Sequence, residues 1–156
     1  MEISDPNVDD SAQPYHAGFG TARDAGDELK RLVWSVKSFG KKSTTSLLRE
    51  YQKRGALRGA GVVVGSLIDP KEIGNDHIRI HAMEGRLFRT VVIDAAEKMG
   101  VTCAVLRERD LYAEAATMLK KPEAAIRKTL AEIGRGVGGG WRSEHKAAAL
   151  SAWMLL

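Results

Sequence analysis

The stretch from Gly61 to Leu106 is what most limits the folds open to this chain. Gly61-Val-Val-Val-Gly65 is an unbroken apolar run closed by glycines, the pattern of a strand covered on both faces and so of a central strand. After a loop over 66–76, Ile80, Met83, Leu87, Val91, Ala95 and Met99 recur at three and four residues, the period of a helix with one apolar face, and Gly100 supplies the stop. Val101 to Leu106 then returns as a strand. A strand, a helix and a strand of these lengths imply a parallel pair joined by a crossover.

The flanks are read in the same way. Residues 1–16 are polar and acidic, with Pro6 and Pro14, and read as an entry segment. His16 to Arg23 is a strand candidate and Asp24-Ala-Gly-Asp27 a turn. Between Leu29 and Phe39, Leu32, Trp34 and Val36 alternate with polar Ser35 and Lys37, so a hairpin is expected. A helix with its N-cap at Ser43 carries Leu47, Leu48 and Tyr51 on one face and stops at Gly55. Beyond the second strand, helices are expected at about 110–120 and 122–133, a Gly-rich loop over 134–142, and a last helix from Ser143.

Composition narrows the class. With 156 residues, 44% of them hydrophobic, and one cysteine, Cys103, the chain has enough apolar material for a core and cannot staple it with an internal disulfide. One domain over 1–156 is expected. No apolar run has the length of a membrane span, and the acidic start is unlike a signal peptide, so a cytoplasmic protein without membrane contact is expected. The net charge of +4 hides an asymmetry. Residues 1–28 hold seven acids against one base, a balance of −6, and residues 29–156 hold 23 bases against 13 acids, a balance of +10. A basic body suits a polyanion partner, and ordinary solubilising charge is the competing account.

Five stretches carry a family resemblance. Ile3-Ser-Asp5-Pro6-Asn7, Gly18-Phe-Gly-Thr-Ala22, Val62-Val-Val-Gly65-Ser-Leu67, Leu106-Arg-Glu108-Arg109 and the Ala/Leu-rich run after Glu144 follow one another in the order of the ribonuclease H-like fold, in its Holliday-junction-resolvase (RuvC/YqgF-like) branch. The resemblance implies an α/β fold, with a mixed sheet of N-terminal hairpin strands and parallel strands flanked by helices. It also implies metal-dependent hydrolysis of phosphodiesters in structured or branched DNA or RNA. Asp5, Glu108 and Glu144 would be catalytic, and with Asp69 they would hold magnesium or manganese, ions that oxygen ligands suit. This sequence departs from the pattern in having Ser66-Leu67 where a glutamate follows the central strand, and Lys146 near the last catalytic aspartate. A non-catalytic nucleic-acid-binding module on the same fold is therefore the alternative, and a homodimer is left open.

Other residues point to binding. Lys41, Lys42, Lys53 and Arg54 could track a phosphate backbone, and Arg135 and Arg142 flank the Gly-rich loop beside Trp141. Solvated surface, and a linker with Trp141 folded back, explain the same residues. His77 and His81 stand four apart with Glu84 three further on, one face of a helix and a conceivable zinc set, although no other Cys or His has ligand spacing. A polar edge of His77, Arg79 and His81 that contacts phosphate competes with zinc. Ala113 to Leu119 followed by Ile126 and Leu130 fits a helix-turn-helix, which would make the chain a DNA reader.

Overall fold

The computed structural model describes residues 1–20 and 25–156. Helices α1 (Pro14–Gly20), α2 (Ala25–Gln52), α3 (Asp76–Glu97), α4 (Leu111–Leu119), α5 (Glu123–Gly136) and α6 (Ser143–Met154) dominate, and strands β1 (Ala60–Val64) and β2 (Cys103–Arg107) form a two-stranded parallel sheet. The chain divides into two compact units, Met1–Leu57 with Ile68–Val101, and Arg58–Leu67 with Thr102–Leu156. No helix among the described residues is long and apolar enough to cross a membrane.

In the first unit α2 and α3 pack along each other, and α1 packs on both. The buried positions of α2 are Leu32, Ser35, Val36, Gly40 and Thr44, one stripe in which residues recur three and four apart. Small residues on that line let the helices approach closely. A Cβ added to Gly40 would lie 2.8 Å from Val91 Cγ1 and 2.9 Å from Ile3 Cγ2. Val36, Leu87 and Val91 form the core there, with Ile3, Tyr15, Val33 and Phe88 against it. Asn75 caps α3 by accepting from the Ile78 N–H at 3.0 Å. At the other end Gly100, at φ +75°, closes the helix, with Val101 N–H bonded to Ala96 O and Gly100 N–H to Glu97 O.

In the second unit β1 and β2 pair in parallel from Ala60 opposite Cys103 to Val64 opposite Arg107. Helix α6 packs on β1 at Gly61, where a Cβ would meet Ser151 Cβ and Oγ at 2.7 Å. Leu111, Ala115, Ile126, Leu130, Ala147, Leu150 and Met154 from α4, α5 and α6 make the core, with Val63 and Leu106 of the strands against it.

The mixed ribonuclease H-like sheet expected from the resemblance is therefore corrected: the chain is mostly helical with a small sheet. The parallel pair is present, but β1 has β2 as its one partner among the described residues, and every residue of both strands is half-buried, so β1 is not a central strand. The N-terminal hairpin is replaced by α1 and α2. Leu32, Trp34 and Val36 alternate by chance of composition. Trp34 is 69% exposed whereas Leu32 and Val36 are buried four residues apart, which a helix allows and a strand does not. Ser43 is inside α2 and caps nothing. The strand expected over 16–23 and the turn at 24–27 fall partly at 21–24, outside the described residues. The Gly-rich loop is shorter than expected, because α5 continues to Gly136.

Candidate metal centre

Two helices of the first unit bring together imidazoles that are far apart in sequence. Because Asn75 starts α3 at Asp76, His77 stands in its first turn and His81 one turn later on the same face. His77 Nε2 and His81 Nε2 are 3.2 Å apart. Helix α1, opened by the buried Pro14, carries His16 to the same place. Its ring centroid lies 4.4 Å from that of His81 and 5.6 Å from that of His77. One ligand atom from each of the three histidines falls within 4.8 Å of the others.

Glu84, one turn beyond His81 and only 6% exposed, anchors the arrangement. Its Oε1 accepts from His16 Nδ1 at 2.9 Å and from the His16 backbone N–H at 3.3 Å. In the tautomer that donates Nδ1–H to this carboxylate, the Nε2 lone pair of His16 is left for a ligand. The buried carboxylate is accommodated because the same oxygen is hydrogen-bonded by both the ring and the backbone N–H of His16. Neighbouring Tyr15 is part of the same packing. Burial raises its phenol above the ordinary tyrosine value, Arg86 opposes the shift and the Glu84 carboxylate adds to it, so the group is a neutral hydroxyl near neutral pH.

The separation of His77 and His81 suits a tetrahedral ion. Zinc–nitrogen bonds of about 2.0–2.1 Å at tetrahedral angles hold neighbouring ligand atoms about 3.3–3.4 Å apart, close to the His77–His81 separation. Three imidazoles would leave a tetrahedral ion a fourth position, and because His77 and His81 are exposed that position would face water.

The residues expected from sequence sit as follows. Asp5 lies in the first unit, where its Oδ1 accepts from Asn7 N–H at 2.9 Å in a local turn. Asp69 caps the 3-10 turn Pro70–Glu72 by accepting from Lys71 N–H at 3.0 Å and is bridged by Arg86 at 3.2 Å. That backbone hydrogen bond, with Arg86 and Lys71 assisting against a smaller effect of desolvation, holds its carboxyl below the ordinary aspartate value. Glu108 opens an exposed 3-10 turn after β2, and Glu144 accepts from Ser143 Oγ at 3.3 Å in the first turn of α6, both in the second unit. Among the described residues the group of three or more His, Cys, Asp or Glu gathered closely enough to hold an ion is His16, His77 and His81. Arg79 pairs with Asp76 at 2.6 Å, Lys53 with Glu50 at 2.6 Å and Arg135 with Glu132 at 3.7 Å, whereas Lys41 and Lys42 are exposed on α2. Arg54 lies over the Tyr51 ring at 5.8 Å, and Trp141 folds onto Gly134 and stacks on His145 beside Arg142.

His16 is the residue that sequence reasoning missed. A histidine 61 positions before its partner has no ligand spacing, and only the packing of α1 on α3 makes it a neighbour. Compared with protein-family models, with curated proteins and with solved structures, the chain matches none.

Proposed function

We propose that this chain binds a divalent transition-metal ion, zinc first, through His16, His77 and His81, and uses the open fourth position for hydrolytic chemistry. The observation that carries the reading is the convergence of three imidazoles, one of them oriented by a buried carboxylate. A structural zinc site is closed by four protein ligands, whereas three ligands and an open position are the pattern of a catalytic one. When bound, such an ion brings the pKa of a coordinated water to about 7. Glu84 fixes the ring of His16, and the exposed edges of His77 and His81 leave room for a substrate on the solvent side. The reaction class expected from the resemblance is kept and the ion is changed, since nitrogen donors select zinc over magnesium or manganese.

Isothermal titration of metal-free protein with zinc and with magnesium tests the reading. One zinc per chain is expected, lost in His77→Ala and in His81→Ala, whose exposed side chains contribute little to the core. Cobalt in place of zinc should give the visible absorption of a tetrahedral site. Turnover of bis(nitrophenyl) phosphate should require the metal and disappear in His81→Ala. Zinc binding equal in wild type and His81→Ala would overturn the site, and stoichiometric zinc without turnover would overturn the hydrolytic part.

A further inference from the structure

Helix α2 carries an unpartnered cationic face. Between Leu29 and Arg49 it has six bases and no acid. Lys30 and Arg31 are answered by Asp27 and Glu28 one turn back, at 2.9 Å and 3.6 Å. Lys37, Lys41, Lys42 and Arg49 have no ion-pair partner among the described residues, and all four are exposed. They line one shallow groove with Trp34 and Thr45. Trp34 to Arg49 spans 15 residues, about 22 Å of helix. A surface helix that only needed solubility would interleave acids with these bases.

Trp34 selects the partner. It is 69% exposed at one end of the cationic row, a large aromatic held on a helix and left mostly to solvent. We infer that this face of α2 binds single-stranded nucleic acid, with Lys37, Lys41, Lys42 and Arg49 along the phosphates and Trp34 stacked on a base. Stacking needs an unpaired base, because a duplex hides its π-faces, and hydroxyls such as that of Thr45 add donors for phosphate oxygens. An anionic lipid surface would be met by a helix with an apolar face turned to the bilayer, but the apolar face of α2 is occupied by α3. The inference does not depend on the metal centre.

Fluorescence anisotropy of a labelled 15-nucleotide oligothymidylate, with excess EDTA so that the metal reading is not tested at the same time, reads this directly. Four phosphate contacts predict a log–log salt slope of about −2.8, which is about a fifty-fold loss of affinity for a fourfold rise in salt. Lys41→Gln with Lys42→Gln should bring the slope to about −1.4. Trp34→Ala should weaken binding about five-fold or more with the slope unchanged, since stacking releases no counterion. These side chains are exposed, and circular dichroism checks that each variant keeps its helices. Equal affinity for duplex of the same length with Trp34→Ala silent would overturn the inference, as would a flat salt dependence. Binding to phosphatidylserine vesicles but not to the oligonucleotide would overturn it in favour of a membrane partner.

Discussion

Glu84→Gln separates the part Glu84 plays in the fold from the part it plays at the metal. The substitution keeps the shape and an accepting oxygen for His16 Nδ1, now 2.9 Å from the carboxylate, and removes the charge. A hydrogen bond to a charged group contributes about 1.5–3 kcal/mol and a neutral one about 0.5–1.5, so the metal-free variant should be less stable by about 1 kcal/mol. Loss of a carboxylate behind a ligating histidine typically lowers metal affinity about 10- to 100-fold, equivalent to about 1.4–2.7 kcal/mol. Because the ion stabilises the folded state by mass action, that difference adds to the first when zinc is saturating. Urea denaturation should therefore show a gap between wild type and variant of about 1 kcal/mol in EDTA, widening to about 2–4 kcal/mol in zinc. If the gap is the same in both, Glu84 supports the packing of α1 on α3 and has no influence on an ion.

Two further predictions concern the scaffold. Gly40→Ala and Gly85→Ala make the same change in two helices of one unit, and each should gain about 1 kcal/mol of helix propensity. Gly85 has nothing within 4 Å of an added Cβ and should show the gain, whereas at Gly40 the Cβ lies 2.8 Å from Val91 and overpacking of about 1–3 kcal/mol should cancel or reverse it. Urea midpoints measure the difference, and equal shifts would refute the close approach of α2 to α3. Asp69→Asn keeps a capping oxygen and removes a charge whose folded-state pKa is lowered, first by the Lys71 N–H and then by Arg86. A lowered carboxyl pKa stabilises the fold above the unfolded value, about 3.9, and that stability is lost as pH falls through the folded value. The variant should thus be less stable than wild type at pH 7, the two converging in acid, and a difference that grows as the pH falls would refute the assignment.

Local signals were reliable where one force decided the outcome. The run at 61–64 and its return at 103–106 are strands because β-branched and apolar residues have no helical period there, and α3 is legible because its apolar residues keep that period from Ile80 to Ala95. Over Leu29–Phe39 the hairpin signal is ambiguous because Leu32, Trp34 and Val36 fit period two while Leu32 and Val36 by themselves fit one turn of helix. The buried Ser35, Gly40 and Thr44 that would have revealed the helical face are small or polar and carry no hydrophobic signal. Their burial follows from the packing of α2 against α3, α1 and the N-terminal segment. The extent of the sheet was overread for a related reason, since a strand's sequence does not state how many neighbours it will have.

The same division runs through the candidate site. Sequence by itself set His77 and His81 four residues apart, one turn if both lie on a helix, with Glu84 three further on; that His77 is on the helix follows from Asn75 starting α3 at Asp76. It could not choose between ligand and anchor for Glu84, nor reach His16. Those followed from tertiary structure alone: α1 lies against α3, the Glu84 carboxylate is buried with the His16 Nδ1–H as its partner, and the third imidazole is thereby turned toward the other two. A metal site needs ligands within a few ångströms, and only folding sets that distance for residues some sixty positions apart, as His16 and His77 are.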